Sequence, residues 1–403
     1  MKSLVIAEKP SVANDIAKAL GGMTREKDYY EGEHYVVSSA VGHLLELAVP
    51  EKYDVKRGKW TFTHLPMLPP SFDLKPIKKT EDRLKTLKRL LKRSDITGVI
   101  NACDAGREGE LIFRYIIQAS KCKKPIERLW LQSMTPSAIR DAFAHLRSDA
   151  EMQNLADAAR SRSEADWLVG INGTRAMTAF NSKDGGFFLT TVGRVQTPTL
   201  AIVMEREEKI NAFVSRPYWE VHAKVQCEAG QYDAVWFDPV FKKNEEDPHQ
   251  KAERIWSKED AQRICKLIEG QTASVKQSAK RTTQLSPLLF DLTSLQREAN
   301  NRFGFSAKTT LALAQALYEK HKALTYPRTD ARALPEDYLG TVNNTLDMLK
   351  ESSRYMKSVG EIQKHKWVKP SKRIFDNSKI SDHFAIIPTL QAPKKLTEAE
   401  EKI

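Results

Sequence analysis

The sequence predicts a multidomain fold: an α/β domain over about the first 150 residues, then helical and β parts. Three observations carry that prediction. Short apolar runs alternate with helix-period segments near the N-terminus, the pattern of a parallel sheet covered by helices. One stretch of strict alternation, Tyr218–Gln226, interrupts a remainder that reads mostly as helix. At 403 residues the chain also exceeds what one hydrophobic core organises.

Each element has its own warrant. Ser3–Ala7 is a short apolar run ending at Glu8-Lys9. Pro10 suits a first helical turn, and Val12, Ile16, Ala19 and Leu20 recur at helical spacing up to the stop at Gly21-Gly22. Tyr35–Ala40 and Ile96–Ala102 read as strands. The second leads into Cys103-Asp104-Ala105-Gly106-Arg107-Glu108-Gly109-Glu110 and a helical stretch from Leu111 to Ile117. In such sheets ligands gather at the carboxyl ends of strands, where Glu8 and Asp104 both fall. Lys75–Arg93 is rich in Lys and Arg, but Leu84, Leu87, Leu90 and Leu91 give it an apolar face. It reads as a solvated helix packed on the sheet, with DNA contact as the other reading.

Residues 151–212 read as mostly helical. From Tyr218 to Gln226, Trp219, Val221, Ala223 and Val225 alternate with Glu220, His222 and Lys224, the period of a half-solvated strand. Ala234–Phe237 and Thr272–Lys280 look like its companions, giving a β segment over 216–282 with a polar loop at 238–251. Residues 286–403 return to helix, with Ser306 as N-cap before 307–320.

Composition narrows the function classes. With 29% charged and 41% hydrophobic residues the chain is globular, neither disordered nor membranous. It has no apolar run of about 18 residues, and its N-terminus enters a strand pattern without a signal-peptide core. A cytoplasmic protein with no membrane partner is expected. Cys103, Cys122, Cys227 and Cys265 form no CxxC pair, which argues against a zinc module and a disulfide framework alike. A net charge of +12 makes nucleic acid the first candidate partner, the alternative being a basic surface that serves solubility. A GxxxxGK[ST] phosphate loop is absent.

Two stretches carry candidate chemistry. Asp104, Glu108 and Glu110 sit where a buried strand meets a helix, with Glu8 at the end of another strand. Carboxylates there suit a hard cation such as Mg²⁺; equally, acids at a helix N-terminus complement its dipole. Tyr326, between Thr325 and Pro327-Arg328, reads either as a nucleophile with a guanidinium to hold phosphate oxygens or as a loop tyrosine packed on proline. His383, in Ser381–Thr389, can donate to a phosphate or be structural. Trp367, in Lys364–Trp367, can stack a base or cover core.

Taken together, these segments resemble a type IA DNA topoisomerase, and most closely the bacterial topoisomerase III branch. The resemblance runs through Val5–Ala13, Ala40–Leu44, Asp104–Glu110, Gly193–Leu200, Asp291–Gln296, Thr325–Asp330 and His383–Thr389. It implies a TOPRIM domain over 1–150 and a toroidal core: a first part of the helical base at 151–215, the first half of a β arch at 216–282, and a helical domain carrying the catalytic tyrosine at 283–403. By the family's pattern Tyr326 cleaves single-stranded DNA, leaving a 5′-phosphotyrosine and a free 3′-hydroxyl, and the break is resealed without ATP. Relaxation of negative supercoils or decatenation follows. Arg328 would stabilise the phosphate, Glu8 would be the acid for the leaving oxygen, and Lys9 a cation and proton donor beside it. Mg²⁺ would be held by Glu8, Asp104 and Glu108, and His383 would contact the scissile region. Arg162, Asp166, Arg194, Gln196 and Thr197 match strand-binding positions.

The resemblance further implies a monomer in the bacterial cytoplasm near the nucleoid, with a RecQ-type helicase and a single-strand-binding protein as partners. Two departures stand out. The family's acidic triad is commonly Asp-x-Asp-x-Glu, and Gly106 replaces its middle acid, with Glu110 a candidate to compensate. Family members are also longer, and the chain stops after the histidine motif, at Leu396–Ile403. A truncated core that binds single strands without changing linking number is therefore expected. Two alternatives stand beside the enzyme: a non-passing single-strand-binding remnant, and another TOPRIM enzyme such as a primase or nuclease.

Overall fold

In the first strand, β1 (Lys2–Ala7), Leu4 and Ile6 point to one face and Val5 and Ala7 to the other, and all four are fully buried. A strand buried on both faces must be covered by helices on both sides. The computed structural model, which describes residues 1–50, 60–245, 247–393 and 395–403, shows how. It divides into two compact units, Met1–Arg194 with Ser286–Ile403, and Val195–Leu285.

In the first unit, β1 is followed by α1 (Pro10–Leu20), β2 (Thr24–Arg25), β3 (Tyr29–Glu31) and β4 (Tyr35–Ser39). β5 (Leu45–Leu47) and β6 (Leu74–Pro76) pair as a separate antiparallel ribbon. α2 (Glu81–Leu91), β7 (Ile96–Ala102), α3 (Arg107–Ser120), β8 (Ile126–Arg128), α4 (Pro136–Ala144) and β9 (Arg147–Ser148) complete the α/β part. The sheet order is β2-β3-β4-β1-β7-β8-β9, parallel across β4, β1, β7 and β8 and antiparallel outside them. Ala13 and Ile16 of α1 and Ile139 of α4 pack on Val5, Val37 and Ile100; Leu84 and Leu87 of α2 and Phe113 and Ile116 of α3 pack on Leu4, Ile6 and Val99. Lys75–Arg93 thus contributes a packed helix, as its leucines indicate. Ala7 pairs with Ala102, so Glu8 and Cys103-Asp104 leave the sheet at the same edge.

α5 (Asp149–Asn181) begins at a capping box formed by Ser148 and Glu151. Residues after it fold back along it, the Val192 N–H donating to Thr174 Oγ1 at 3.0 Å. Gly173 permits that approach: a Cβ there would lie 2.7 Å from Val192 Cγ1.

The second unit holds α6 (Gln196–Asn211), a hairpin of β10 (His222–Cys227) and β11 (Gly230–Val235), and α7 (Lys258–Ile268). Val221, Ile255 and Ala261 form its small core with Trp219 and Trp236 against them. Two expectations need correcting. Thr272–Lys280 is not a strand: it pairs with no strand among the described residues and is exposed throughout, and alternation without a partner makes no ladder. The segment read as β also contains α7, capped by Ser257 on the N–H of Asp260. The first strand starts later than the alternation does, because Trp219 bridges to Ile255 instead.

Back in the first unit come α8 (Leu292–Phe303), α9 (Ala307–Glu319), α10 (Leu339–Lys350), α11 (Met356–Lys364) and α12 (Glu398–Lys402). Ser306 accepts from the Thr309 N–H at 3.0 Å, the cap expected of it. Two stretches expected to be helical are not, apart from short 3-10 turns: 320–338 and 365–397. Pro327, Pro335, Pro370 and Pro388 interrupt them. They are joined instead by isolated bridges, Leu324 to Pro388 and Leu334 to Phe375, while Phe290 pairs with Ile386. Among the described residues no helix is long and apolar enough to cross a membrane.

Candidate active site

The backbone where β7 ends is fixed by a buried arginine. Arg128, in β8 and 1% exposed, donates to the carbonyls of Asn101 (3.0 Å), Cys103 and Asp104 (both 2.7 Å). Glu110 lies beneath, fully buried, accepting from Asn101 Nδ2 at 2.9 Å and Arg114 Nε at 2.8 Å. It therefore faces the core and does not stand in for the acid missing at Gly106. Gly109 lets α3 start tightly against this turn, since a Cβ there would meet the Asp104 carbonyl oxygen at 2.3 Å.

Three charged groups meet at this edge. Lys9 Nζ donates to Asp104 Oδ2 at 2.7 Å and lies 3.7 Å from Glu8 Oε1. Burial, and then the neighbouring Asp104 carboxylate, push the Glu8 pKa up to about 7. Burial opposes the charge of Lys9, but Asp104 and Glu8 outweigh it and hold the ammonium above its ordinary range. Glu108, in the first turn of α3, makes a short contact with His43 Nε2, and that hydrogen bond lowers its pKa.

The tyrosine arrives from the other end of the chain. Thr325 clamps it: its N–H donates to the Ile387 carbonyl (3.0 Å), its Oγ1 donates to the Ala385 carbonyl (3.0 Å) and accepts from the Ile387 N–H (2.9 Å). This lays Tyr326 against the histidine segment, with ring centroids of Tyr326 and His383 4.2 Å apart. Tyr318 of α9 meets Tyr326 edge-on at 5.3 Å, and Lys9 Nζ lies 4.4 Å from the Tyr326 centroid. His383 Nε2 is 3.5 Å from Asp104 Oδ2. Burial lowers the pKa of His383 despite the pull of Asp104, favouring the neutral ring. Gln132 Nε2 donates to the Ile380 carbonyl at 2.8 Å, and Asp337 Oδ2 accepts from Ser133 Oγ (2.9 Å) and Thr135 Oγ1 (2.7 Å), tying the two halves together. Between them lies a cleft of ≈ 520 Å³ lined by Lys9, Asp104, Tyr326, Asp382 and His383.

So Glu8, Lys9, Asp104, Tyr326 and His383 gather in one place. Arg328 is exposed and donates to Gln315 Oε1 at 3.1 Å. Arg162, Asp166 and Arg194 form an exposed cluster, with Arg194 Nη1 2.9 Å from Asp166 Oδ1 and Arg162 Nε 3.9 Å from Asp166 Oδ2, and Arg162 and Asp166 line a cleft with His43 and Glu108. Gln196 and Thr197 open α6 in the second unit. Sequence reading gave no role to Arg128, Tyr318, Asp337, Asp382 or His43. Arg128 carries no local signal, standing beside Glu127 in a three-residue strand, and Asp337 and Tyr318 carry none, their partners being remote in sequence.

The donor chemistry fits a hard cation. Glu8 Oε2 is buried without a hydrogen-bond partner, and Asp104 shares its edge. Among the described residues no three acidic, histidine or cysteine side chains already converge on one point. An ion here would rest on few carboxylates, with phosphate and water completing its shell.

A Toprim domain model matches residues 3–134, and a DNA topoisomerase family model matches residues 150–403, most of the chain. The chain belongs to the type IA DNA topoisomerase family. It is 43% identical over 396 residues to DNA topoisomerase 3 of Bacillus cereus, covering 96% of this chain and 51% of the relative. To DNA topoisomerase 3 of Bacillus subtilis it is 41% identical over 405 residues, covering all of this chain and 52% of the relative. The chain thus spans about half the length of the curated relatives it matches. Among solved structures, full-length topoisomerase I from Thermotoga maritima matches with TM-score 0.50 and 23% identity, over 87% of this chain and 53% of that one, a likeness of fold.

Proposed function

We propose that this chain carries the strand-cleaving and strand-rejoining chemistry of a topoisomerase 3-like type IA enzyme, acting on single-stranded DNA without ATP. The observation that carries the reading is the Tyr326 ring held among Lys9, Tyr318 and His383 at the edge where Glu8 titrates near neutrality. In cleavage the Tyr326 phenol oxygen bonds to phosphorus as the bond to the 3′-oxygen breaks. The phenol gives its proton to solvent water, and the leaving oxygen takes one from protonated Glu8, with Lys9 beside it as cation and second donor. Rejoining is the reverse, and the phosphotyrosine conserves the energy of the broken ester. His383, neutral, contacts the scissile phosphate, and Arg328 turns from Gln315 to hold its oxygens. Mg²⁺, held by Glu8, Asp104 and Glu108, would supply positive charge at the phosphate when bound.

Arg162, Asp166, Arg194, Gln196 and Thr197 bind the strand away from the break. The working protein is a monomer of the bacterial cytoplasm at the nucleoid, relaxing negative supercoils or decatenating, with a RecQ-type helicase and a single-strand-binding protein as partners. The domain division proposed is 1–150, 151–215, 216–282 and 283–403. The deciding experiment incubates the 403-residue protein with end-labelled single-stranded DNA and runs a denaturing gel. A protein-linked band should form with the native chain and vanish with Tyr326→Phe, while binding persists. An adduct that survives the substitution would remove Tyr326 from its role.

A further inference from the structure

Gly106 does not need to be glycine for backbone reasons. Its φ of −162° is extended backbone that any residue adopts. What a side chain at 106 would meet is Asp382: a Cβ there would lie 3.3 Å from Asp382 Oδ2 and 3.5 Å from its Cγ. The place into which an acid at 106 would project is already taken by a carboxylate. Asp382 is oriented for this, because Ser381 Oγ donates to its Oδ1 at 2.8 Å and leaves Oδ2 toward Gly106. Its neighbour His383 reaches Asp104, so the segment brings a carboxylate and an imidazole to the same edge. Glu110 is unable to serve, being buried on Asn101 and Arg114. Glu8 Oε2 independently marks the edge as short of a cation, since it is buried without a partner.

We propose that Asp382 supplies, from the tyrosine-bearing half of the chain, the carboxylate that the acidic turn lacks at position 106. Asp382 then joins Glu8, Asp104 and Glu108 in the divalent-cation set, which is drawn from both halves of the site. This rests on the reading that the edge holds a divalent cation at all, and the experiment separates the two.

The probe is Mn²⁺ alone, titrated into the 403-residue protein without DNA, with free ion counted by electron paramagnetic resonance. Asp382→Asn, near-isosteric, should weaken binding about 10-fold, whereas Asp382→Glu should stay within a few-fold of the native chain. Gly106→Asp alone crowds two carboxylates and should not tighten binding. The swap Gly106→Asp with Asp382→Ala should recover most of the loss, because it returns the acid to the turn. Native affinity in Asp382→Asn would overturn the proposal. So would a loss that the swap leaves uncorrected in a protein with an unchanged melting curve, since that assigns Asp382 a structural part. If the native chain itself takes up no Mn²⁺, the cation reading falls first, and the proposal with it.

Discussion

Ionising a carboxylate costs more when water is removed and a second carboxylate stands nearby, and Glu8 meets both conditions. Its pKa rises from an ordinary 4.5 to about 7. The folded protein therefore binds this proton more tightly than the unfolded chain. The resulting stability is complete below about pH 4.5 and is lost as pH rises through about 7, amounting to about 3 kcal/mol. Glu8→Gln, which cannot ionise, should be more stable than the native chain at pH 8 and equal to it near pH 4.5. Urea unfolding in a chelator checks this; a constant difference across that window would refute the assignment. Arg128 makes a second prediction at this scale. Replacing it with Met leaves the Cys103 and Asp104 carbonyls without their donor and Glu110 without one of its cations, which should cost about 3–5 kcal/mol. Denaturant midpoints compared with those of the native chain would show it.

At the scale of elements, Thr325 ties the loop holding Tyr326 to residues 385–387. Thr325→Val keeps the shape but removes the hydroxyl that bonds Ala385 and Ile387, at about 1–3 kcal/mol. Adduct formation should fall along with stability, and a variant that lost neither would show that the clamp is idle. This loop also marks where sequence reading stopped short. β7 is legible because Ile96, Val99, Ile100 and Ala102 give a short apolar run that is buried from Val99 onward, and α1 because Pro10 and Gly21 bracket it. Thr272–Lys280 misled because alternation describes a face and does not supply a neighbour. α7 was overlooked although Ser257, Glu259 and Asp260 announce a helix start. In 320–338 and 365–397 the prolines argue locally against helix, but the bridges that join the two stretches have no local pattern behind them.

On the scale of the whole first unit, the halves of the site share no sheet. Beyond the active-site contacts, Gln132 on Ile380 and the Asp337 carboxylate on Ser133 and Thr135 join them. Asp337→Ala should loosen this junction by about 1–3 kcal/mol, read as faster amide exchange at Ser133–Ala138 and little change within β1 or β7. The same geometry explains which part of the site could be read in advance. Glu8 and Asp104 follow from strand ends, a local pattern with a topological rule behind it. That Tyr326 and His383 meet them was legible only as a resemblance, and Asp382 was not legible at all, because its meaning lies in the missing side chain of a glycine far upstream.

Lys9 and Tyr326 touch across more than 300 residues of chain. A ribosome adds about 5–20 residues per second, and domains fold as they emerge. The α/β half, with its acids and its buried arginine in place, is finished long before Tyr326 has been made. For on the order of ten seconds or more in each round of synthesis, the folded acidic face stands without the tyrosine segment; on the proposed assignment of Tyr326, a nascent chain that meets DNA in that interval has no group with which to cut it.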